Sequence, residues 1–459
     1  MASISERLVH LANEIRFETL PGEVVRESER RLLDAIGGMM AGASGSTTLQ
    51  VAKAVIGLHG ASESSLFGTD HLTSCEKATL VNCTALRFLD YMDGHFGAYP
   101  CHPCFNIPPI LAVAEKVGAS GEDVVTDIVR SYEIMARLQE NAGLPDLGSR
   151  GWAGSTNLAF SVPLGISPLL GLNHEQTVNA LGISITHGSV LNAASDGQMP
   201  TSKSILDGMT AMNAVVAALL AKQGVSGPHG AIEGKGGYVN GVAGSCNYDN
   251  LLAPIGRHKI LETYTKLYNT VQCGQTAVAA AFELVQNHRI KTCDIAEVRI
   301  GLARRDAASQ TRDPSSTRPK SRDTANHSVR YCVAAALVEG ELTADQFEPE
   351  KLCSREILDL VDRMAIYRDE SQESHWPLAN PATVTITTGG QEFSKTLVFP
   401  PGHPNNPLPD NVLEEKFRKL TRRILDAGRA DKVIALTRHL PDLPDIHELT
   451  DLLRPTGKD

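Results

Sequence analysis

The sequence predicts a mostly α-helical protein carrying an inserted α+β unit, and three observations lead there. Apolar residues recur at helical rather than alternating spacing through most of the first half. Strand-like alternation is confined to a few stretches after about residue 263, and helical spacing returns near the end. With 459 residues, 42% hydrophobic and 21% charged, the chain has an ordinary globular composition and enough length for two or three domains.

Helical spacing covers 4–17, 24–42, 48–58, 74–93, 107–117 and 121–140, each bounded by Pro, Gly, Ser or Asp. Ser120-Gly121-Glu122-Asp123 puts acidic residues into a first turn, where the helix dipole favours them. From 151 the chain turns Gly- and Ser-rich. A helix from His174 to Ile185 and the polar loop NAASDGQMPTSK then lead to a helix over 204–222, with a core stripe of Ile205, Met209, Met212, Val216 and Leu219. The Gly-dense stretch 226–244 lacks P-loop spacing and does not follow a strand, so it reads as a loop and not a nucleotide site. AEVRIGL at 296–302 alternates, and VTITTGGQEFSKTLVF at 384–399 alternates on both sides of Gly389-Gly390, a hairpin signal. Between them lie helices at 324–339 and 354–364 and the strand-like MAIYRD. Prolines crowd 400–409, and helices at 411–427 and 430–440 follow.

The net charge of -10 argues against nucleic acid or an anionic membrane as the main partner, while leaving room for a local basic pocket that takes a carboxylate. The first 21 residues mix charged and apolar positions without a continuous apolar run, and AVVAALLA at 214–221 and YCVAAALV at 331–338 are too short to span a bilayer. A cytoplasmic protein is expected. Nine scattered cysteines fit reduced thiols better than a disulfide framework.

The densest chemistry lies in ALRFLDYMDGHFGAYPCHP, residues 85–103, where Asp90, Asp93, His95 and His102 fall within thirteen residues and Gly94, Gly97 and Pro100 impose a loop. Helical spacing up to Tyr91 would put Asp90 and Asp93 on one face at a helix C-terminus, where the dipole disfavours carboxylates. Acid/base chemistry or a bound cation would compensate; a solvated helix end is the plainer alternative. CHPC at 101–104 invites a metal or redox reading, but zinc needs a second ligand pair and a thioredoxin-like dithiol needs a βαβ context, and neither is present in the sequence. No metal and no cofactor are expected.

This stretch resembles the MmgE/PrpD family, whose members include 2-methylcitrate dehydratases, cis-aconitate decarboxylases and iminodisuccinate epimerases. The family's Asp-rich helix end and His-Pro loop align with Asp93 and with His102-Pro103. The resemblance continues at Lys203, before a helix, and at Lys266 and Tyr268 in KILETYTKLYNTVQCGQTAVAAAFEL. It extends to Arg322, His327 and Tyr331 in RPKSRDTANHSVRYCVAAALVEGELTADQF. It implies a large helical domain from 1–262 and 403–459, a smaller α+β lid domain from 263–402, a site in the cleft between them, and a homodimer. It also implies acid/base or cationic roles for Asp93, His102, Lys203 and Lys266, and substrate contacts from Asp90, His95, Tyr268, Arg322, His327 and Tyr331. A surface position for Lys203, and a helix-capping role for His327 and Ser328, are the plainer alternatives.

Two departures bear on the reaction. Ala153 and Val271 stand where relatives in the family often carry His, or His or Cys. Expelling water needs a base for the Cα proton and an acid for the hydroxyl, whereas epimerisation needs proton removal and return on opposite faces. On this count the sequence points first to cofactor-independent epimerisation of a small dicarboxylate. A dehydratase or decarboxylase acting on a di- or tricarboxylate comes second, with the acid supplied by His95 or Tyr268. A non-catalytic carboxylate sensor is the third reading.

Overall fold

The computed structural model describes residues 2–455 except 59, 98, 100, 144–146 and 196–198; Pro100 and part of the polar loop before Lys203 therefore lie outside the described residues. The protein is mostly helical with a smaller α+β part. Its apolar interior is divided. One helical core joins residues such as Met39, Leu111 and Ile128 to Phe417, Val433 and Leu449 from the end of the chain, whereas another is built from residues 273–386 alone.

Leu206–Lys222 is the central helix, packed against Cys75–Phe88, Leu158–Ile166 and His174–His187. Together with the preceding turn, the stretch Thr201–Lys222 is long and apolar enough to cross a membrane by length and composition. Its small residues Ala211, Ala214, Ala217 and Ala218 are buried, whereas Met209, Val216 and Leu220 are exposed, so Met209 and Val216 of the expected core stripe do not lie in the core. Close approach is built in by small residues: a Cβ at Gly42 would collide with the Ala85 carbonyl, so Gly22–Gly42 can lie directly on Cys75–Phe88. Asp410–Thr421 packs on the opposite side of the same junction, against Gly22–Gly42.

In the α+β part, a four-stranded sheet runs in the order Met364–Arg368, Ile295–Leu302, Ala382–Thr388, Gln391–Leu397, with the first pair parallel and the others antiparallel. The hairpin signal is met: Thr388 pairs with Gln391 across Gly389 and Gly390, both at positive φ. Gln272–His288 covers the hairpin and packs on Val329–Glu339.

Three elements differ from their expected form. The helix expected over 74–93 stops at Phe88, and Asp90 takes a left-handed φ of 53°. Asp90 and Asp93 therefore do not share a helix face. The helix expected over 324–339 is broken into Arg322–Asn326 and Val329–Glu339, because the Ser328 hydroxyl accepts from the Tyr331 N–H (3.2 Å) and starts a new helix. Leu158–Ile166 is a helix within the Gly- and Ser-rich stretch, for which no element was expected; its residues are mostly apolar and buried throughout, which is what a core helix requires.

Candidate functional site

The helix end at Phe88 delivers Arg87 and Asp90 to the seam between the two cores. Leu89 offers its carbonyl to the side-chain amides of Asn269 and Asn326, so the segment before Gln272–His288 and the end of Arg322–Asn326 are both hooked to this turn. Lys266 follows from the pairing of Gly94–His95 with Thr263–Tyr264. Its ammonium donates to the Asp90 carbonyl (2.8 Å) and to Asp90 Oδ2 (3.0 Å), and its side chain is only 1% exposed. Lys416 ties the same point from behind, donating to the main-chain oxygens of Tyr91 (3.1 Å) and Lys266 (2.8 Å) and to Asp34 (2.6 Å).

Lys203 enters from the turn preceding the central helix. Its ammonium donates to His327 Nε2 at 2.8 Å and contacts Met199 Sδ at 3.0 Å. His327 Nδ1 lies 2.8 Å from the Asp323 carbonyl, an oxygen that can only accept, so the imidazole proton sits on Nδ1 and Nε2 is the acceptor. Burial, with Arg87 adding to it, lowers the Lys203 pKa to about 7 despite Asp90 and Asp323 nearby. Burial and then the Lys203 charge hold His327 well below the ordinary histidine value, so it is neutral.

His102 is fixed in the same way. Its Nδ1 donates to the Asp93 carbonyl at 2.7 Å, leaving the Nε2 lone pair free, and burial followed by Arg87 and Lys266 lowers its pKa to about 3. Asp90 stays ionised: burial opposes its charge, but Lys266 and, with it, Arg87 hold its pKa well below the carboxylate range. Arg87 stands 3.5 Å from Asp90 Oδ1 and 4.0 Å from Asp207 Oδ2.

The structure thus brings Asp90, His102, Lys203, Lys266 and His327 together and separates the other expected residues from them. Asp93 has both carboxylate oxygens occupied, by the Cys104 N–H (3.1 Å) and the Tyr132 hydroxyl (2.7 Å), so its carboxylate anchors the loop while its carbonyl orients His102. His95 turns to Glu140 (2.8 Å), itself paired with Lys259. Tyr268 stacks on Phe282, and Arg322 lies over the Phe88 ring and pairs with Glu348 at 3.2 Å. Tyr331 is fully buried in the second core, its hydroxyl donating to the Gln346 carbonyl (2.9 Å), because it follows the Ser328 cap on the inward face of its helix. Neither His95 nor Tyr268 stands where an acid partner for Lys203 was expected.

Arg87, Asp207 and Asp323 were missed in the sequence. Nothing in the sequence sets Arg87 apart, because its helix also carries Glu76 and Lys77. His95, Glu140 and Glu262 bring potential metal ligands within 4.8 Å of one another, but Lys259 already pairs with both carboxylates, at 3.0 and 2.9 Å, and supplies the positive charge there. Two pockets lie elsewhere; the first reaches Tyr91 and Lys416, and neither touches Asp90, Lys203 or His327.

The chain matches the MmgE/PrpD N-terminal domain over residues 6–250 and the MmgE/PrpD C-terminal domain over residues 268–442. It is 23% identical to the cis-aconitate decarboxylase-like protein oryM of Aspergillus oryzae, across 98% of this chain and 97% of the relative. It is 25% identical to the Homo sapiens cis-aconitate decarboxylase, across 99% and 95% of the two chains. The 2-methylcitrate dehydratase of Yarrowia lipolytica mitochondria is 27% identical, over 84% of this chain and 77% of its own length.

Proposed function

The chain belongs to the MmgE/PrpD family, and on that premise we propose that it is a lyase that removes water or carbon dioxide from a small di- or tricarboxylate. The relatives, named as decarboxylases and dehydratases, favour elimination over the epimerisation expected first. The observation that carries the reading is Lys203, an amine with a pKa of about 7 hydrogen-bonded to a neutral His327. A group poised near the working pH can both take and return a proton.

In the dehydration form, neutral Lys203 removes the proton on the carbon beside a carboxylate, with His327 orienting it through the accepted hydrogen bond. Negative charge grows on that carboxylate, and Arg87 stabilises it in a site closed to water. His102 Nε2 accepts from the substrate hydroxyl and turns its lone pair to Lys203. The ammonium then returns its proton to the departing hydroxyl on the same face, so one group serves as base and acid. In the decarboxylation form, the Lys203 ammonium protonates the carbon from which carbon dioxide has left. Lys266 and Asp90 are positioning residues.

The same proposal takes in a homodimer, residence in the cytoplasm and the division into a helical domain (1–262 with 403–459) and a lid (263–402). The family resemblance supports the homodimer and the division, and the separate core of 273–386 supports the division as well. A second reading, epimerisation, is favoured by one observation: Ala153 and Val271 offer no second acid. Proton NMR in deuterium oxide with 2-methylcitrate, citrate, cis-aconitate and iminodisuccinate separates the cases. An alkene signal or loss of a carboxylate is expected. Deuterium entering beside a carboxylate with inversion and neither product would establish the epimerase instead.

A further inference from the structure

Arg87 differs from the other arginines buried in the helical part. Arg31 donates to Thr265 Oγ1 (2.6 Å) and the Thr263 carbonyl (2.8 Å), and Arg130 donates to the carbonyls of Ala12 and Ile15 at 2.9 Å each. Arg137 donates to Glu133 (2.6 Å) and to the carbonyls of Leu251 (3.1 Å) and Ala253 (2.7 Å). These guanidinium groups are committed to the fold. Arg87 is more accessible, its side chain 12% exposed, and among the described residues it makes no hydrogen bond to the protein. Its nearest carboxylate oxygens stand at 3.5 and 4.0 Å, ion-pair distances beyond hydrogen-bond range.

A half-buried guanidinium whose donors meet no protein acceptor at hydrogen-bond distance is left to bond to water or to a ligand. Water in a closed site is one acceptor; a carboxylate that matches the planar fork with two parallel bonds is the better one. The neighbouring cations leave this task to Arg87. Lys266 is held by the carbonyl and Oδ2 of Asp90, Lys416 by Asp34 and two carbonyls, and Lys203 by His327. Asp90 and Asp207, at arm's length on the guanidinium, hold it in place without saturating it.

We infer that Arg87 is the specificity-determining clamp for a substrate carboxylate, and that it gives this enzyme its preference for a tricarboxylate over a dicarboxylate that lacks one of the three groups. The inference rests on the lyase reading for its substrate class but concerns binding, so it is tested without turnover. Tricarballylate has the carboxylates of citrate without the leaving hydroxyl, and glutarate lacks one of them. Calorimetric titration of both into wild type, Arg87→Lys and Arg87→Met is expected to show tighter binding of tricarballylate by wild type. In Arg87→Met, affinity for tricarballylate falls at least about 30-fold and the preference over glutarate collapses, with Arg87→Lys in between because an ammonium cannot form the two parallel bonds.

Should Arg87→Met fail to fold, Arg87→Lys carries the comparison, since it keeps the charge and loses only the fork. A folded variant that binds both probes as wild type does overturns the inference and leaves the lyase reading intact. If wild type binds neither probe and turns over no carboxylate, the functional reading falls and takes the clamp with it.

Discussion

Two groups of histidine, carboxylate and lysine arise from the same loop, and they are tuned in opposite directions. In the first, His95, Glu140, Lys259 and Glu262 meet at ordinary pairing distances. Burial pushes the Glu140 pKa up, but the hydrogen bond with His95 and the charge of Lys259 bring it below the usual value. Burial pulls Lys259 down, but Glu262 and Glu140 leave it raised. Partners outweigh burial there, and the charged forms are stabilised. In the second group Lys266 keeps Asp90 charged, but burial wins at the residues around it: Lys203 falls to about 7 and His102 to about 3, while Asp207 and Asp323 are raised. A network that deepens the charges of its members holds structure, and one that leaves them close to neutral can exchange protons. The residue types are nearly the same in both.

The difference can be broken at several points. The largest effect is expected from Lys203→Met, which should lower kcat by about 10³-fold, whereas Lys259→Met should leave it within a few-fold; steady-state kinetics on the substrate found by NMR checks both. Next comes Asp90→Asn, which strands the buried Lys266 charge and should cost about 3 kcal/mol or more in stability, read as a lower denaturant midpoint. The matching Glu140→Gln, in a partly exposed pair, should cost under about 1 kcal/mol.

A smaller effect separates stability from activity. Lys203 has a folded-state pKa of about 7, below the unfolded value of about 10.4. Folding therefore releases its proton between these values, and the penalty for the charge is complete below the lower one and fades as pH rises towards the upper one. Lys203→Met, inactive, should for that reason be more stable than wild type by about 1–2 kcal/mol at pH 6, with the gain shrinking in alkaline buffer. A gain that grows with pH would contradict the assignment. His95→Gln should be the mildest of the set, with activity retained and a stability loss below about 1 kcal/mol.

Much of this arrangement was legible in the sequence, for reasons that differ by residue. The Gly389-Gly390 hairpin follows from local conformational preference, and His102, Lys203, Lys266 and His327 were marked by motif position. The roles of Asp90 and Asp93 were not, because they depend on where the helix stops. Continuing it to residue 93 makes the two carboxylates equivalent, whereas a left-handed Asp90 sends one to Lys266 and leaves the other to fasten the loop at Cys104 and Tyr132. Tyr331 and Tyr268 look like site residues in sequence because an Ala-rich helix carrying a tyrosine reads the same whether the ring faces a pocket or a core. Arg87 was invisible since unused donors are a property of the folded surroundings alone.

The most direct test of the account is the titration of Lys203 itself. In protein labelled at the lysine ε-carbon, NMR across the pH range should show a resonance with a midpoint near 7 that is absent from Lys203→Met. If every resonance lost in that variant titrates near the ordinary lysine value of about 10.4, Lys203 is a fixed cation, and the proton exchange assigned to it must be done elsewhere.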